Sequence, residues 1–346
     1  MSTLIHASTP EIPTAKESEN YRYISLRDYK WKDFETKSSL GDDSDSQVSQ
    51  WKWPEVFEND FFTNLAKNSS AKRLVLKFKG QQKYKLSPDI SNDGALQVEN
   101  IQIHVENDSE LDLLYNLSSD IKNTNHQIHS IQIYLEENAK LNYFFLQDLS
   151  ESSAIAIRHF INVEKNSNLS FNIYQAGGDR SQHRVDVKVA SKGSHVDIQA
   201  AQRLRHKQQM DLWINTQHLD SDSTSQTTVW NVLEDESVAV FNGNIKISHE
   251  GFRTQAFQSN KNLLLSPTAQ VHTLPKLEIS TDDVKCSHGA SVASLDPAQL
   301  FYLESRGIRQ DQAEKMLIEA YTYPVISKIP DEELRKKYIV SEEDLV

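Results

Sequence analysis

The sequence predicts a mainly β protein in which a central region of short strands is flanked by helical segments. Two observations lead to this fold class. Across residues 74–247 apolar and polar residues alternate in short runs, such as IQIHVE at 101–106 and MDLWINT at 210–216. Alternation with a period of two, rich in Val, Ile, Phe and Trp, is typical of β-strands. Before and after this region the apolar residues take helical spacings.

The predicted strands are joined by short links that resemble one another. EENAK, EKNSN, SKGS and EDES each lead into a new apolar run, and Leu141, Leu169 and Val196 are separated by 28 and 27 residues. A repeated strand-and-turn unit of this size indicates a solenoid such as a β-helix, in which each coil covers its neighbours. A sandwich or jelly roll also has many short strands, so periodicity leaves both architectures open.

Residues 1–72 are predicted to form an N-terminal region of short helical pieces, at 21–34 and 53–66, that dock aromatic side chains onto a larger body. Within this region, residues 38–49 (SSLGDDSDSQVS) are small, polar and acidic. Such a segment cannot bury enough apolar area to offset the entropy of ordering it, which predicts a mobile linker. The β core is then expected over residues 73–290.

Residues 291–346 are predicted to form a C-terminal helical domain. Asp296-Pro297 supplies an N-cap and a favourable first helical residue, and Gly307 is a typical C-terminal stop. A second helix is predicted over 310–321, closed by Pro324, and a short third helix (EELRKKYI) precedes an acidic tail. Helices at one end of a solenoid would cap it and offer a docking surface.

Composition excludes several functional classes. With 37 basic and 49 acidic side chains the formal net charge is -12, which argues against sequence-independent binding to nucleic acid. The single cysteine, Cys286, permits no disulfide within the chain and no all-cysteine metal cage. Residues 1–16 lack the features of a secretion signal, and no apolar run approaches the ~20 residues of a membrane span. We therefore expect a cytoplasmic protein without membrane contact.

The densest group of chemically active residues is DDVKCSHG, at 282–289. In an extended strand Cys286 and His288 share a face, where a thiolate and an imidazole could bind a soft metal or an iron–sulfur precursor. The alternative is a buried cysteine that acts as a small hydrophobe beside a hydrogen-bonded histidine. No zincin, P-loop or dinucleotide-binding motif occurs, and we find no enzyme active site.

The run PKLEISTDDVKCSHGASVASLDPAQLFYLESRGI, at 275–308, is similar to the C-terminal signature of the SufB/SufD family of iron–sulfur cluster assembly scaffolds. The resemblance favours the SufD branch, because Leu303 follows Tyr302 where SufB has a cysteine, and the earlier motif reads Cys-Ser-His. It continues through residue 321. Other stretches that resemble family motifs are PTAKESENYRYISL (13–26), HLDSDSTSQ (218–226), FNGNIKI (241–247) and QAFQSNKNLLLS (255–266).

This resemblance implies a right-handed parallel β-helix core, and so favours the solenoid over the sandwich. It also implies a heterodimer with a SufB homologue and docking of SufC, an ABC-type ATPase, through the C-terminal helices. A transient iron–sulfur cluster would form at the interface with SufB, and no tightly bound cofactor is expected in the isolated chain. By motif, His288 matches the family's interface histidine, and Cys286 is a nearby contributor.

Four further residues are assigned to SufC docking by the same resemblance: Phe301, Tyr302, Arg306 and Gly307. Their alternative role, for the two aromatic residues above all, is packing within the helical cap. Two other functions stay open for the chain as a whole. One is a carbohydrate-active β-helix enzyme, although no groove of clustered carboxylates is visible in the sequence; the other is a homodimeric scaffold that acts without SufB.

Overall fold

The chain folds into a parallel β-helix flanked by helices, and its computed structural model describes residues 31, 36–37, 60–69, 73–88, 90, 96–118 and 125–339. The predicted linker at 38–49, and all but Trp31 of the predicted helical piece at 21–34, lie outside the described residues.

From the second strand onwards, successive strands alternate between two sheets, and the pairings are parallel. Within the described residues, sheet A has nine strands: β1 (Thr36–Lys37), β2 (Arg73–Phe78), β4 (Leu96–Val105), β6 (His126–Leu135), β8 (Ala154–Val163), β10 (Arg180–Val189), β12 (Gln209–His218), β14 (Val238–Ile247) and β16 (Gln270–Ile279). Sheet B likewise has eight: β3 (Gln81–Leu86), β5 (Glu110–Ser118), β7 (Lys140–Leu149), β9 (Asn168–Gly177), β11 (His195–Leu204), β13 (Thr224–Leu233), β15 (Gln255–Leu264) and β17 (Lys285–Ala293). A sandwich would pair its strands antiparallel. The solenoid prediction is therefore confirmed.

The similar links of the sequence are stacked turns on one side of the solenoid. Asp108, Asn138, Asn166 and Gly193 each have a positive φ, between 55° and 75°. Gly and Asn are the residues that reach this left-handed conformation at least cost. The Asn138 side chain donates a hydrogen bond to Asp108 Oδ1 at 2.9 Å, and the Asn166 side chain donates one to Asn138 Oδ1 at 3.2 Å. Each turn is thus tied to the turn of the preceding coil.

The solenoid interior is mostly apolar, but it encloses a buried histidine group formed by His129, His159 and His183. The Tyr115 hydroxyl contacts His129 Nδ1 at 2.6 Å and the Tyr143 hydroxyl contacts His159 Nε2 at 2.8 Å. His159 Nδ1 in turn lies 2.8 Å from His183 Nε2. Burial lowers the pKa of all three imidazoles, to about 3 for His129 and His183. The group is therefore uncharged at neutral pH.

One short helix, α1 (Phe61–Asn68), covers the outer face of sheet A together with Trp31. It begins later than the predicted piece at 53–66 and extends to Asn68. Asp60 caps the helix by accepting a hydrogen bond from the Thr63 backbone at 2.8 Å. Phe61, Phe62 and Leu65 pack against Val98, Ile128 and Ala156 of the sheet. The sequence predicts that aromatic side chains of this region dock onto a larger body, and Phe61 and Phe62 of α1 do so on sheet A.

Three helices follow the solenoid: α2 (Pro297–Ser305), α3 (Gln310–Ile326) and α4 (Glu332–Lys336). The prediction that Pro324 closes the second helix is wrong, because α3 continues to Ile326 with Pro324 in its last turn. Proline removes one backbone hydrogen bond there, but Val325 and Ile326 are buried against Leu114, Phe144 and Tyr174 of sheet B. That burial outweighs the lost bond. Within the described residues, none of the helices is long and apolar enough to cross a membrane.

Candidate functional site

The last coil of the solenoid, β16 and β17, is its least covered part. Among the described strands β16 pairs with β14 and β17 pairs with β15, and neither has a partner on its far edge. Most of their side chains are half-buried or exposed, and Val292 of β17 is 57% exposed. An edge strand of this kind presents unpaired N–H and C=O groups to which another strand can add.

Cys286 and His288 lie on the inward face of this last coil. Their register partners on β15 are Ala256 and Gln258, both of which are buried in the solenoid interior. Residues paired in register on parallel strands point to the same side of the sheet. The thiol and the imidazole therefore both point towards the open end of the interior. The sequence prediction that these two residues share a face is confirmed by the register. We call the opening formed by Thr273, Pro275, Cys286 and His288 the terminal mouth.

The two mouth residues differ in environment. Cys286 is half-buried and packs with Ile245, Ala256 and Leu277. Burial raises the pKa of its thiol, and a hydrogen bond with the Ala256 backbone offsets only part of that rise. The neutral thiol is thus favoured, whereas a metal ligand must be the thiolate. In the isolated chain this geometry resembles the small-hydrophobe alternative, and ligation would need a metal that offsets the cost of deprotonation.

His288 is exposed at the rim of the mouth and makes no hydrogen bond or ion pair with any described residue. Its imidazole is therefore available to a ligand. Across the described part of the chain, no three His, Cys, Asp or Glu side chains converge as they would to hold a metal ion. Of the described residues, the mouth thus offers two metal ligands, Cys286 and His288.

Sequence reasoning missed the polar residues beneath the mouth. Gln258, Asn260 and Asn262 occupy the inward positions of β15 and are buried. They belong to the run QAFQSNKNLLLS, which was noticed only as a resemblance. Amide side chains at every second position were the available signal, because an inward strand face is ordinarily apolar.

The predicted docking residues gather on α2 and at its C-terminal end. Phe301 is 72% exposed and Tyr302 is 56% exposed, so neither is buried among the C-terminal helices. The expectation that these helices cap the end of the solenoid is wrong, because the buried residues of α3 and α4 pack against the outer face of sheet B. The Arg306 guanidinium lies 5.1 Å from the Tyr302 ring centroid, a cation–π contact. Gly307 has a φ of 88°, as the residue that ends a helix often does. These four residues, on the second half of α2 and just after it, are called the α2 face below.

Beside the α2 face lies a shallow apolar hollow of about 350 Å³, lined by Ala298, Gln299, Tyr302, Leu303 and Leu317. Leu317, one of these lining residues, belongs to α3. The α2 helix has no buried residue of its own. Exposed aromatic residues next to an apolar hollow are typical of a protein-binding surface.

Three known proteins are similar to this chain in sequence. "Protein ABCI7, chloroplastic" of Arabidopsis thaliana is 32% identical over 207 residues, covering 59% of this chain and 43% of that protein. "Iron-sulfur cluster assembly protein SufD" of Escherichia coli K12 is 33% identical over 163 residues, 47% of this chain and 38% of the relative. The protein of that name in Bacillus subtilis is 39% identical over 108 residues, 31% of this chain and 25% of the relative.

In each comparison the chain spans less than half of the relative's length. Two of the three relatives are named SufD, in agreement with the branch that the Cys-Ser-His motif indicates. A family described as "SUF system FeS cluster assembly, SufBD core domain" matches residues 89–321, about two thirds of this chain. The chain therefore belongs to the SufBD core family of the SUF iron–sulfur cluster assembly system.

Proposed function

We propose that this chain is a cytoplasmic, non-enzymatic scaffold subunit that assembles iron–sulfur clusters jointly with a SufB homologue. The observation that carries the proposal is the terminal mouth, where His288 and Cys286 face one opening and no third ligand accompanies them among the described residues. Iron–sulfur clusters take about four protein ligands. The remaining ligands would come from the partner, and the cluster would be a transient cargo.

The open edges of β16 and β17 support a partner at this place. A strand from the SufB homologue that added to either edge would satisfy its unpaired backbone groups and bring partner ligands beside His288. Ligands divided across a boundary also allow release of the cluster when the boundary moves. We propose that the α2 face docks the SufC ATPase, whose action would drive that movement.

The first test is reconstitution of the cluster on a complex of this chain with SufB and SufC homologues, under reducing conditions. We expect His288→Ala to lower the cluster yield about tenfold or more, as loss of a ligand does, with assembly of the complex unchanged. His249→Ala, which alters an exposed histidine in a turn, is the matched control. An unchanged yield in His288→Ala, or failure of the chain to bind either homologue, would contradict the proposal.

The second test concerns the α2 face. We expect Phe301→Ala and Tyr302→Ala each to weaken binding of the SufC homologue about tenfold, because exposed aromatic anchors dominate such interfaces. Tyr323→Ala removes an aromatic side chain that is also exposed, on α3, and should leave the affinity unchanged. Equal losses in all three variants would reject the α2 face. Native mass with and without the SufB homologue distinguishes the heterodimer from a homodimeric scaffold.

A further inference from the structure

Single buried amides, such as Gln175, Gln202 and Asn231, lie on the inward face of sheet B along the solenoid, and just beneath the terminal mouth the interior becomes more polar. The main core ends at Val229 and Phe241, on β13 and β14. On the next strand of sheet B, β15, the inward residues are Ala256 followed by three amides, Gln258, Asn260 and Asn262. Polar groups are placed in an interior at a cost unless hydrogen bonds satisfy them. The hydrogen bonds of each amide therefore indicate what it does.

Asn260 and Asn262 have a structural role. The Asn262 side chain donates to Asn260 Oδ1 at 2.8 Å and to the Ser291 carbonyl of β17 at 2.9 Å. It also accepts a hydrogen bond from the Asn231 side chain at 2.8 Å. This pair fastens the last strand of sheet B to the coils beneath it.

Gln258 differs from both asparagines. It is only 4% exposed, and its Nε2 donor has no hydrogen-bond partner among the described residues. Its side chain crosses the interior to sheet A, where it meets Gly243. A Cβ on residue 243 would lie 2.2 Å from Gln258 Nε2 and 2.3 Å from Oε1. Gly243 has no unusual φ, so the space taken by the amide is what requires a glycine there.

The amide lies directly below the terminal mouth. His288 is the next residue above Gln258 in sheet B, and Pro275 is the next above Gly243 in sheet A. The Gln258 amide spans these two columns, and the strands that carry His288 and Pro275 lie one strand spacing, about 4.8 Å, above those of Gln258 and Gly243. The Thr273 hydroxyl, also at the mouth, is a second buried group without a partner among the described residues. An orphaned buried donor costs about 1–3 kcal/mol. Nε2 has almost no accessible surface in this rotamer, so the terminal amide has to rotate about its last side-chain torsion before a ligand in the mouth can supply the missing acceptor.

We propose that Gln258 is a hydrogen-bond donor to the cargo in the mouth, where its Nε2–H binds a sulfide of the nascent cluster next to His288, and that Gly243 keeps the amide in place. This inference rests on the proposed function. Hydrogen bonds to cluster sulfur stabilise the reduced, more negative state and so raise the reduction potential. Gln258 would therefore tune and position the cluster without being a metal ligand.

The test uses the reconstituted complex of the full chain with SufB and SufC homologues. Gln258→Met keeps the length of the side chain but removes the donor, so we expect a more negative cluster reduction potential and a cluster yield that falls several-fold. In the free chain the thermal midpoint should not fall, because the variant removes an unpartnered polar group. Gln226→Met, at an exposed glutamine of the same sheet, is the control.

Gly243→Ala provides an independent perturbation, since its methyl group must displace the flexible amide from its site. It should shift the potential in the same direction, and the double variant should shift it no further than Gln258→Met alone. The two proposals can fail separately. An unchanged potential in both single variants, while His288→Ala loses its cluster, overturns the role of Gln258 alone. If His288→Ala keeps its full yield, the proposed function and this inference are both overturned.

Discussion

The ion pair between Arg158 and Asp60 joins α1 to the solenoid across 98 residues of sequence. The guanidinium is 1% exposed and makes two hydrogen bonds to the carboxylate, from Nη2 to Oδ1 at 2.8 Å and from Nε to Oδ2 at 3.0 Å. Nη2 also donates a hydrogen bond to Gln182 Oε1 at 2.7 Å. The ion pair is therefore buried and bidentate. Gln182 binds the guanidinium and the Thr63 backbone binds the carboxylate.

We predict that Arg158→Met lowers the free energy of unfolding by about 3–5 kcal/mol, the usual cost of leaving one charge of a buried pair without its partner. Burial by itself raises the pKa of Asp60, but the Arg158 charge and its hydrogen bonds outweigh that effect and hold the pKa below its ordinary value. In the variant only the burial effect and the Thr63 hydrogen bonds act. The Asp60 pKa should then rise, and the destabilisation should grow as the pH increases from 4 to 8.

Urea unfolding, followed by tryptophan fluorescence and by hydrogen exchange of the α1 amides, measures this loss. Trp31 reports on the region because it packs edge-on against Phe62 of α1, with ring centroids 5.0 Å apart. The matched control is Arg203→Met, which breaks a partly exposed pair with Glu234 and should cost less than about 1 kcal/mol. A loss in Arg158→Met no larger than in the control would refute the reasoning, as would a loss independent of pH.

Three further predictions follow from buried or strained groups. Burial keeps the three imidazoles of the histidine group unprotonated in the folded protein below about pH 6.5, where the unfolded chain binds protons. As the pH falls from about 6.5 towards 4, the group should therefore lower the free energy of unfolding by up to about 4 kcal/mol per pH unit, and His183→Gln should reduce the slope measured in urea titrations by up to about 1.4 kcal/mol per pH unit. Burial raises the pKa of Asp211 to about 7, so the free energy of unfolding falls as the pH rises towards that value. Asp211→Asn should raise the free energy of unfolding by about 2–4 kcal/mol at pH 8 and by almost nothing at pH 4. A similar gain at both pH values would contradict this assignment. Gly177 and Gly80 both have a positive φ, but a Cβ at Gly177 would lie 1.9 Å from the Leu149 carbonyl oxygen while none meets an obstacle at Gly80. In urea or thermal denaturation, Gly177→Ala should therefore lower the free energy of unfolding by more than about 3 kcal/mol, and Gly80→Ala by only about 1–2 kcal/mol. Similar losses in the two variants would show that the contact with Leu149 is unimportant.

Much of the solenoid could be predicted because its signals are local. Alternation along a strand reports which side chains face inward, and Asn or Gly at a turn reports a positive φ. The strand β15 escaped prediction for the same reason. Its inward residues Gln258, Asn260 and Asn262 are polar, so the alternation of apolar residues is lost. Pro324 misled the helix prediction, because burial of its neighbours, which the local sequence does not report, decides where α3 ends.

The candidate site was predicted in part. Cys286 and His288 could be placed on one face because residues two apart in a strand point the same way, and this relation is local. Their position on an open last coil, above an unpartnered amide, could not be inferred. Successive coils differ in length, with Lys140, Asn168, His195 and Thr224 in register at separations of 28, 27 and 29 residues. Without a constant period, the sequence does not reveal which residue lies above which.

By itself the sequence determined that this protein has a β core, that helices follow it, and that one cysteine cannot hold a cluster alone. Each of these depends on composition or on neighbours within a few residues. Only the tertiary structure decided that Gln258 lies beneath His288 and reaches Gly243, and that Arg158 anchors Asp60. Contacts of this kind join distant parts of the chain, and they depend on the register that the turns and the packed interior impose together.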